Sequence, residues 1–443
     1  MPDVSANRTG FDKAGIEAFV SLGEKSAPPV FVGRKNVFES IVMGIRQAWS
    51  SATGFQGEPG MTRILQGAPG AGKSSILHEL RQRAMHAARK PAGNGVPTPR
   101  ILVLNSGNIH GPEDILGPLS GIMLPGRDFG QETRERVRMA ASQLFGLELD
   151  GAESRKPDPD MQKWTVFRQW VGTWSQGAGP PAPVVIAIDE AQRLRMDDLH
   201  PLSKLLQVVH DGETEMPLTL VLAGLGDTET QAQSMGLTRG LTVHPIGAFS
   251  REGQVDEVME LMHGFCTHFG LDPSSHESKL AALAAPCEGW PRHLHFACQA
   301  LGRSVLAADG DLAVVDWERV ELDSAESRRR YYQSQQSTIM EVADVLTACV
   351  MKDVNEDNMG YGAVIRLIER HVAQKEECVL PGGMGAEDYL QHLVHQGALH
   401  KSVDKTFHCP IPSFRTHLIA AGGLDPDTDP EEPEDDDGPS FPM

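Results

Sequence analysis

The residues Gly67-Ala68-Pro69-Gly70-Ala71-Gly72-Lys73-Ser74-Ser75 fit the pattern G-x-x-x-x-G-K-[ST] at every fixed position. Each residue type in it answers a need of phosphate binding. Glycines let the backbone curl so that successive N–H groups face phosphate oxygens, and the helix after the loop adds the positive end of its dipole. Lys73 reaches the β- and γ-phosphates, where a unit-charge pair at about 4 Å is worth roughly 4 kcal/mol at intermediate dielectric and about 1 kcal/mol in water. The Ser74 hydroxyl is a ligand for Mg2+. A second chemical pair, Asp189-Glu190, closes the apolar run Val184-Val185-Ile186-Ala187-Ile188. There Asp189 is placed to hold the water shell of Mg2+, and Glu190 to orient and polarise an attacking water. ATP with Mg2+ is the ligand set these residues predict.

Such groups must be delivered by strands that end along one edge. Met61 to Gln66, with Ile64 and Leu65, predicts a strand ahead of the loop; Ile76, Leu77, Leu80, Ala84 and Ala88 recur at helical spacing after it. Further strands are expected at Arg100 to Asn105, Val184 to Asp189, Leu218 to Ala223 and Leu241 to Ile246. Continuous apolar runs of this kind belong to buried parallel strands, whose carboxyl ends gather ligands. Helices are expected at 13–22, 37–49, 131–145 and 164–174, with loops at 90–97 and 151–160. The fold class is therefore α/β, a P-loop doubly wound parallel sheet.

At 443 residues the chain has room for two or three domains and a large core, and 40% apolar residues are ordinary for a soluble globular protein. No uncharged apolar run approaches the ~18 residues of a membrane span, and Met1 to Thr9 lacks a signal-peptide core, so a cytoplasmic protein is expected. The six cysteines, at 266, 287, 298, 349, 378 and 409, form no C-x-x-C pair, which predicts neither a zinc site nor a disulfide framework. The histidines, among them His293, His295, His392, His395, His400 and His408, read as surface or packing residues. Formal charge is −20, of which nine acids lie between Asp425 and Asp437 with no base among them. The remainder is still acidic, so contact with nucleic acid must come from a local patch.

In chain order, Phe31-Val32-Gly33-Arg34, the Gly67–Ser75 loop, the Val184–Glu190 strand, Arg239 and Gly289-Trp290-Pro291-Arg292 resemble the AAA+ ATPases, across Phe31 to about Asp323. Asp189-Glu190-Ala191-Gln192-Arg193-Leu194 is similar to the D-E-A-[HQ]-x-L form of the origin-recognition-like and transposition-helper branches. The resemblance implies that Phe31–Arg34 lies beside the adenine and that Arg239 is an arginine finger acting in a neighbouring subunit of a homo-oligomer. It also implies that Arg292 is a sensor reaching the γ-phosphate from a helical lid. A finger is worth ~10³ to 10⁵ in rate. The family carries a polar sensor at the end of the strand at 218–223; here Gly224-Leu225-Gly226-Asp227-Thr228 comes next, leaving Asp227 and Thr228 as alternative substitutes. The interval between the loop and Asp189 is longer than in compact AAA+ modules and implies an insertion.

The implied domains are an N-terminal extension at 1–29, the AAA+ α/β domain at 30–250 and the lid at 251–325, with Arg328-Arg329-Arg330 marking the next boundary. Beyond it, helices expected at 338–351, 361–373 and 386–395, a strand, turn and strand at 399–410 and a closing helix at 413–419 resemble a winged-helix domain over 326–423. Its third helix offers Glu387, Asp388, Gln391, His392 and His395, while the nearby lysines are Lys401 and Lys405. That composition favours a protein effector over DNA as the partner. The Pro- and acid-rich segment 424–443 reads as disordered. Two functions are consistent with these features. One is an ATP-hydrolysing switch coupled to a protein or DNA partner of mobile-element, replication or defence type. The alternative is a nucleotide-binding interaction protein with little turnover, docking an effector through the winged helix.

Overall fold

The computed structural model describes residues 10–22, 28–52, 61–88, 98–109, 118, 182–194, 218–234, 236–237, 240–249, 256–340, 344–354, 359–402 and 404–425. The helices expected at 131–145 and 164–174, the loops at 90–97 and 151–160, Arg239 and the acidic tail past Asp425 lie outside the described residues. The chain divides into two compact units, Met1–Ser324 and Ala325–Met443.

The first unit is built on five parallel strands: β1 (Met61–Gln66), β2 (Arg100–Asn105), β3 (Val184–Asp189), β4 (Leu218–Gly224) and β5 (Leu241–Pro245), in the order β2-β3-β4-β1-β5. Composition explains the order. Every residue of β4, and Val184 to Ile188 of β3, is buried, as expected of strands covered on both faces. Edge strands β2 and β5 are mostly half-buried. Ala223 pairs with Leu65, and Leu222 with both Ile64 and Ile188, so β1, β3 and β4 end together and deliver the loops beyond them to one edge. Asn105 of β2 stands opposite Asp189. Helix α1 is Lys13–Leu22, α2 is Lys35–Ala52, α3 is Lys73–Ala88 and α4 is Thr228–Ser234. Of these, α2 lies against β1 and β4, and α3 against β2, β3 and β4.

Three helices come after the sheet: α5 (Glu257–His268), α6 (Glu277–Ala284) and α7 (Pro291–Ala307). Asp256 caps α5 by accepting the N–H groups of Val258 and Met259 at 3.0 and 3.1 Å, and proline opens α7 where its missing N–H costs nothing. Met262, Phe265, Leu280, Leu283, Leu294 and Leu301 form their common core. Helix α1 joins this core rather than standing apart. Its Ile16 and Phe19 are buried there, with the Phe19 and Phe265 rings 5.5 Å apart.

Helix α8 (Trp317–Met340) runs without interruption through Arg328-Arg329-Arg330, where the sequence suggests a boundary. Glu326 pairs with Arg329 at 2.8 Å and with Arg330 at 2.9 Å, so these two arginines lie on the exposed side of the helix, while Arg328 is half-buried. The helix expected at 338–351 is divided between the end of α8 and α9 (Asp344–Asp353). The second unit continues with α10 (Tyr361–Gln374), α11 (Ala386–His395) and α12 (Pro412–Ala421). Strands β6 (Met359–Gly360), β7 (His400–Lys401) and β8 (Thr406–His408) make an antiparallel sheet of order β6-β8-β7. Arg415 on α12 ties down the end of α9, donating to Met351 O at 2.6 Å, Lys352 O at 2.6 Å and Val354 O at 3.1 Å. Those are carbonyls that a helix C-terminus leaves unmatched.

Candidate nucleotide-binding site

The loop Gly67–Ser75 leaves β1 and enters α3, as the spacing predicts. Gly70 and Gly72 have φ of 79° and 93°, the left-handed region that side-chained residues avoid. Gly67 is required by space, because a Cβ there meets Ile246 O at 2.1 Å. That carbonyl cannot retreat cheaply, since the Ile246 N–H is bound to Gln66 O at 2.7 Å. At the start of α3, the Ile76 N–H bonds Gly72 O at 3.2 Å. The N–H groups of Lys73, Ser74 and Ser75 stand ahead of it, in the helix turn that has no intrahelical acceptors. Ala68, Pro69 and Ala71 shape the loop between these points, with Ala71 N–H donating to Ala68 O at 3.3 Å.

Lys73 is buried, and its Nζ donates to Gly67 O at 2.8 Å and Ala68 O at 3.1 Å. Burial pushes its ammonium down to about 8, against the pull of the Glu190 and Asp189 carboxylates, which favour the charge. A buried cation whose hydrogen-bond acceptors are neutral carbonyls fits an anionic phosphate. The oxygen donors Ser74 and Asp189 fit Mg2+, a hard cation usually completed by water and substrate phosphates. No group of three or more His, Cys, Asp or Glu residues that could hold a metal ion occurs among the described residues.

Asp189 ends β3, and its Oδ1 accepts the Glu190 N–H at 3.0 Å. Glu190 has a left-handed backbone, φ 56° and ψ 37°, and its carbonyl accepts the Ser106 hydroxyl at 2.8 Å. Its carboxylate receives Gln192 Nε2 at 2.8 Å and pairs with Arg193 Nε at 3.6 Å. After β4 the chain turns at Leu225-Gly226 into α4, where Thr228 is buried. Asp227 Oδ2 accepts from Gln231. The side chain that joins this turn to Glu190 is Gln192, a residue to which the sequence pattern attaches no separate role.

The lid residues come to the same loop. The Arg292 N–H donates to Gly70 O at 3.2 Å, and Pro291 lies 3.6 Å from where a Gly72 Cβ would be. The Arg292 guanidinium stacks over Phe296 at 5.2 Å. Arg34 adds a strap from the other side: it donates to Ala71 O at 3.4 Å and to Gly247 O, and lies 4.9 Å over the Phe249 ring. Burial lowers its guanidinium from the usual range, while Glu257 opposes the shift. The Phe249 N–H in turn bonds Gly289 O at 2.8 Å, so Arg34, the phosphate loop, the exit of β5 and Gly289–Arg292 form one connected structure. The Phe31–Arg34 box was expected beside the adenine; the strapping by Arg34 joins residues up to 213 positions apart and carries no local signal.

Phosphate loop after β1, acid pair after β3, sheet order β2-β3-β4-β1-β5 and a helical lid bonded to the loop define the AAA+ nucleotide-binding fold. Among solved structures the chain resembles the ORC2 protein of Aeropyrum pernix in its ADPNP-ADP complexes, at TM-score 0.52 and 14% identity, covering 91% of this chain and 96% of that one. The ADP form of the same protein matches equally, at TM-score 0.52 and 14% identity over 91% and 98% of the two chains. No family model matches the sequence, and no curated protein does.

Proposed function

We propose that the protein is an ATP-binding and ATP-hydrolysing switch that couples nucleotide state to a partner macromolecule. The observation that carries this is the convergence on one loop of a buried Lys73, the Asp189-Glu190 pair whose field reaches that lysine, and the lid residue Arg292. Lys73 and the loop N–H groups hold the phosphates, and Ser74 and Asp189 would hold Mg2+, which would supply neutralisation of phosphate charge. Glu190 takes a proton from water as that oxygen bonds the γ-phosphorus and the bridging bond to ADP breaks. Arg292 links the lid to the nucleotide, so that hydrolysis changes the surface the lid presents. The nucleotide-bound state of the A. pernix ORC2 structures supports the choice of ligand.

Arg239 completes the reading as a finger for a neighbouring subunit, which makes the active form a homo-oligomer. The second unit is read as a winged helix that docks a protein effector. Its α11 presents Glu387 and Asp388, of which Glu387 accepts from the Tyr361 hydroxyl, and the cations nearest in sequence are Lys401 on β7 and Lys405 in the turn after it. DNA is the less favoured partner on this composition. A second reading, a nucleotide-gated docking protein with little turnover, is favoured by the end of β4, where Gly224 stands in place of a polar side chain.

Turnover separates the two. With ATP, the Lys73→Ala variant is expected to lose binding, Glu190→Gln to bind but not hydrolyse, and Arg239→Ala to bind while losing the rise of specific activity with protein concentration. Binding retained in Lys73→Ala removes the site assignment. Tight binding with negligible wild-type turnover at every concentration, with and without DNA, selects the docking protein.

A further inference from the structure

Among the described residues, the Gln192 side chain joins the Glu190 carboxylate to the turn between β4 and α4. Gln192 is 6% exposed and uses both ends of its carboxamide. Nε2 donates to Glu190 Oε2 at 2.8 Å, and Oε1 accepts the Leu225 N–H at 3.3 Å. Its partners fix the orientation of the amide, since a carboxylate demands the NH2 end and a backbone N–H demands the oxygen. The Gln192 main chain is held as well: Gln231 Nε2 donates to Gln192 O at 3.3 Å and to Asp227 Oδ2 at 3.2 Å.

Room for this carboxamide comes from the end of β4. A Cβ on Gly224 would lie 3.0 Å from Gln192 Oε1 and 2.1 Å from Thr228 Oγ1, so any side chain there displaces Gln192 or Thr228. The strand that lacks a polar side chain at its end is therefore the strand against which Gln192 rests. Glu190 is held from three further directions, by Asp189 Oδ1 at its N–H, by Ser106 at its carbonyl and by Arg193 at its carboxylate. Its left-handed backbone is a conformation that residues with side chains rarely adopt, and it persists where surrounding bonds over-determine it. Gln192 and Arg193, the side-chain partners of the carboxylate among the described residues, both meet Oε2. Oε1 is left as the oxygen that accepts a proton.

We propose that Gln192 is a positioning residue for ATP hydrolysis: it presents Glu190 Oε1 to the attacking water and ties that orientation to the conformation of the 224–228 turn. The proposal rests on the reading of this site as hydrolytic. It makes Gln192, and not Asp227 or Thr228, the residue through which the end of β4 acts on the reaction.

The test is steady-state ATP turnover with ATP affinity measured separately, on the full chain, for Gln192→Ala, Gln192→Glu and Gln192→His. Gln192→Glu has nearly the same shape and keeps an acceptor for Leu225 N–H, but removes the donor to Glu190 and sets a like charge beside it. Gln192→His retains a ring N–H donor. The expected result is kcat lowered about 10- to 100-fold in the Ala and Glu variants, KM and ATP affinity unchanged within about twofold, and partial recovery in the His variant. Wild-type kcat in Gln192→Glu overturns the proposal while the hydrolytic reading stands. So does a loss in which affinity falls together with kcat in both variants, since Gln192 then supports binding. A wild-type protein that binds ATP through Lys73 but does not turn it over overturns the hydrolytic reading, and this proposal with it.

Discussion

Lys73 carries a titration that nucleotide binding must reverse. In the free protein, burial holds its ammonium down to about 8 in spite of Glu190 and Asp189 nearby. A bound phosphate favours the charged form and raises the value again, so binding near pH 8 takes up a proton. Below pH 8 the lysine is already charged and affinity is flat. Above it, each pH unit removes about tenfold of the competent form. ATP affinity is therefore expected to fall between pH 8 and 9.5, and calorimetry in two buffers of different ionisation enthalpy should register proton uptake at pH 8. A flat profile in the wild type would show that Lys73 does not meet the phosphates. This residue was legible in the sequence because its partners Gly67 and Ala68 lie within the same short motif. Gln192 was legible only as a letter of a motif, because its role depends on Leu225, 33 positions away, and on a glycine whose lack of a side chain matters only in three dimensions.

Elements are readable where their periodicity is strong and obscure where a partner decides. The five sheet strands emerge within a residue of their expected ends, since β2, β3 and β4 hold nearly continuous apolar runs too short for a helix and β1 is fixed by the loop motif that follows it. Strand β6 gives no such signal because its two residues, Met359 and Gly360, show no period, and pairing with Phe407 and Thr406 alone defines it. Helix α1 shows the other limit. Its span was readable from Lys13 to Leu22, but an amphipathic helix does not announce which surface covers its apolar face. Here that surface is the lid, with Phe19 against Phe265 and Phe269 at 5.5 and 6.1 Å. The consequence is that a segment ahead of the sheet supports the element carrying Arg292. Phe19→Ala is expected to cost about 3–5 kcal/mol of stability, the usual range for a buried phenylalanine. Denaturant unfolding measures this directly, and a loss under about 1 kcal/mol would mean that α1 is not part of the lid core.

For the molecule as a whole, the order of the motifs along the chain made the nucleotide-binding fold readable, and the division between Ser324 and Ala325 falls within a residue of the boundary expected between 325 and 326, although no break in the helix marks it. A run of like charges suggests a boundary at Arg328–Arg330, yet those residues continue α8, whose ends are built into different cores. Val320 is buried with the lid, whereas Tyr332 stacks on Phe414 at 5.4 Å and shares a hydrogen bond with Ser413 at 2.7 Å. Each unit thus has its own apolar interior, and every residue placed at the nucleotide belongs to Met1–Ser324. Linkage then makes a thermal prediction. A ligand stabilises only the unit that binds it, by about 2.7 kcal/mol at a hundredfold excess over Kd. Calorimetry should show two transitions, of which Mg2+ and ATP raise one by several degrees and leave the other where it was. Lys73→Ala should abolish the shift without moving the unliganded second transition, whereas Phe19→Ala should lower the first alone. One transition that moves as a whole with ATP would instead show that the units unfold together, and that nucleotide energy reaches the second unit through the fold itself.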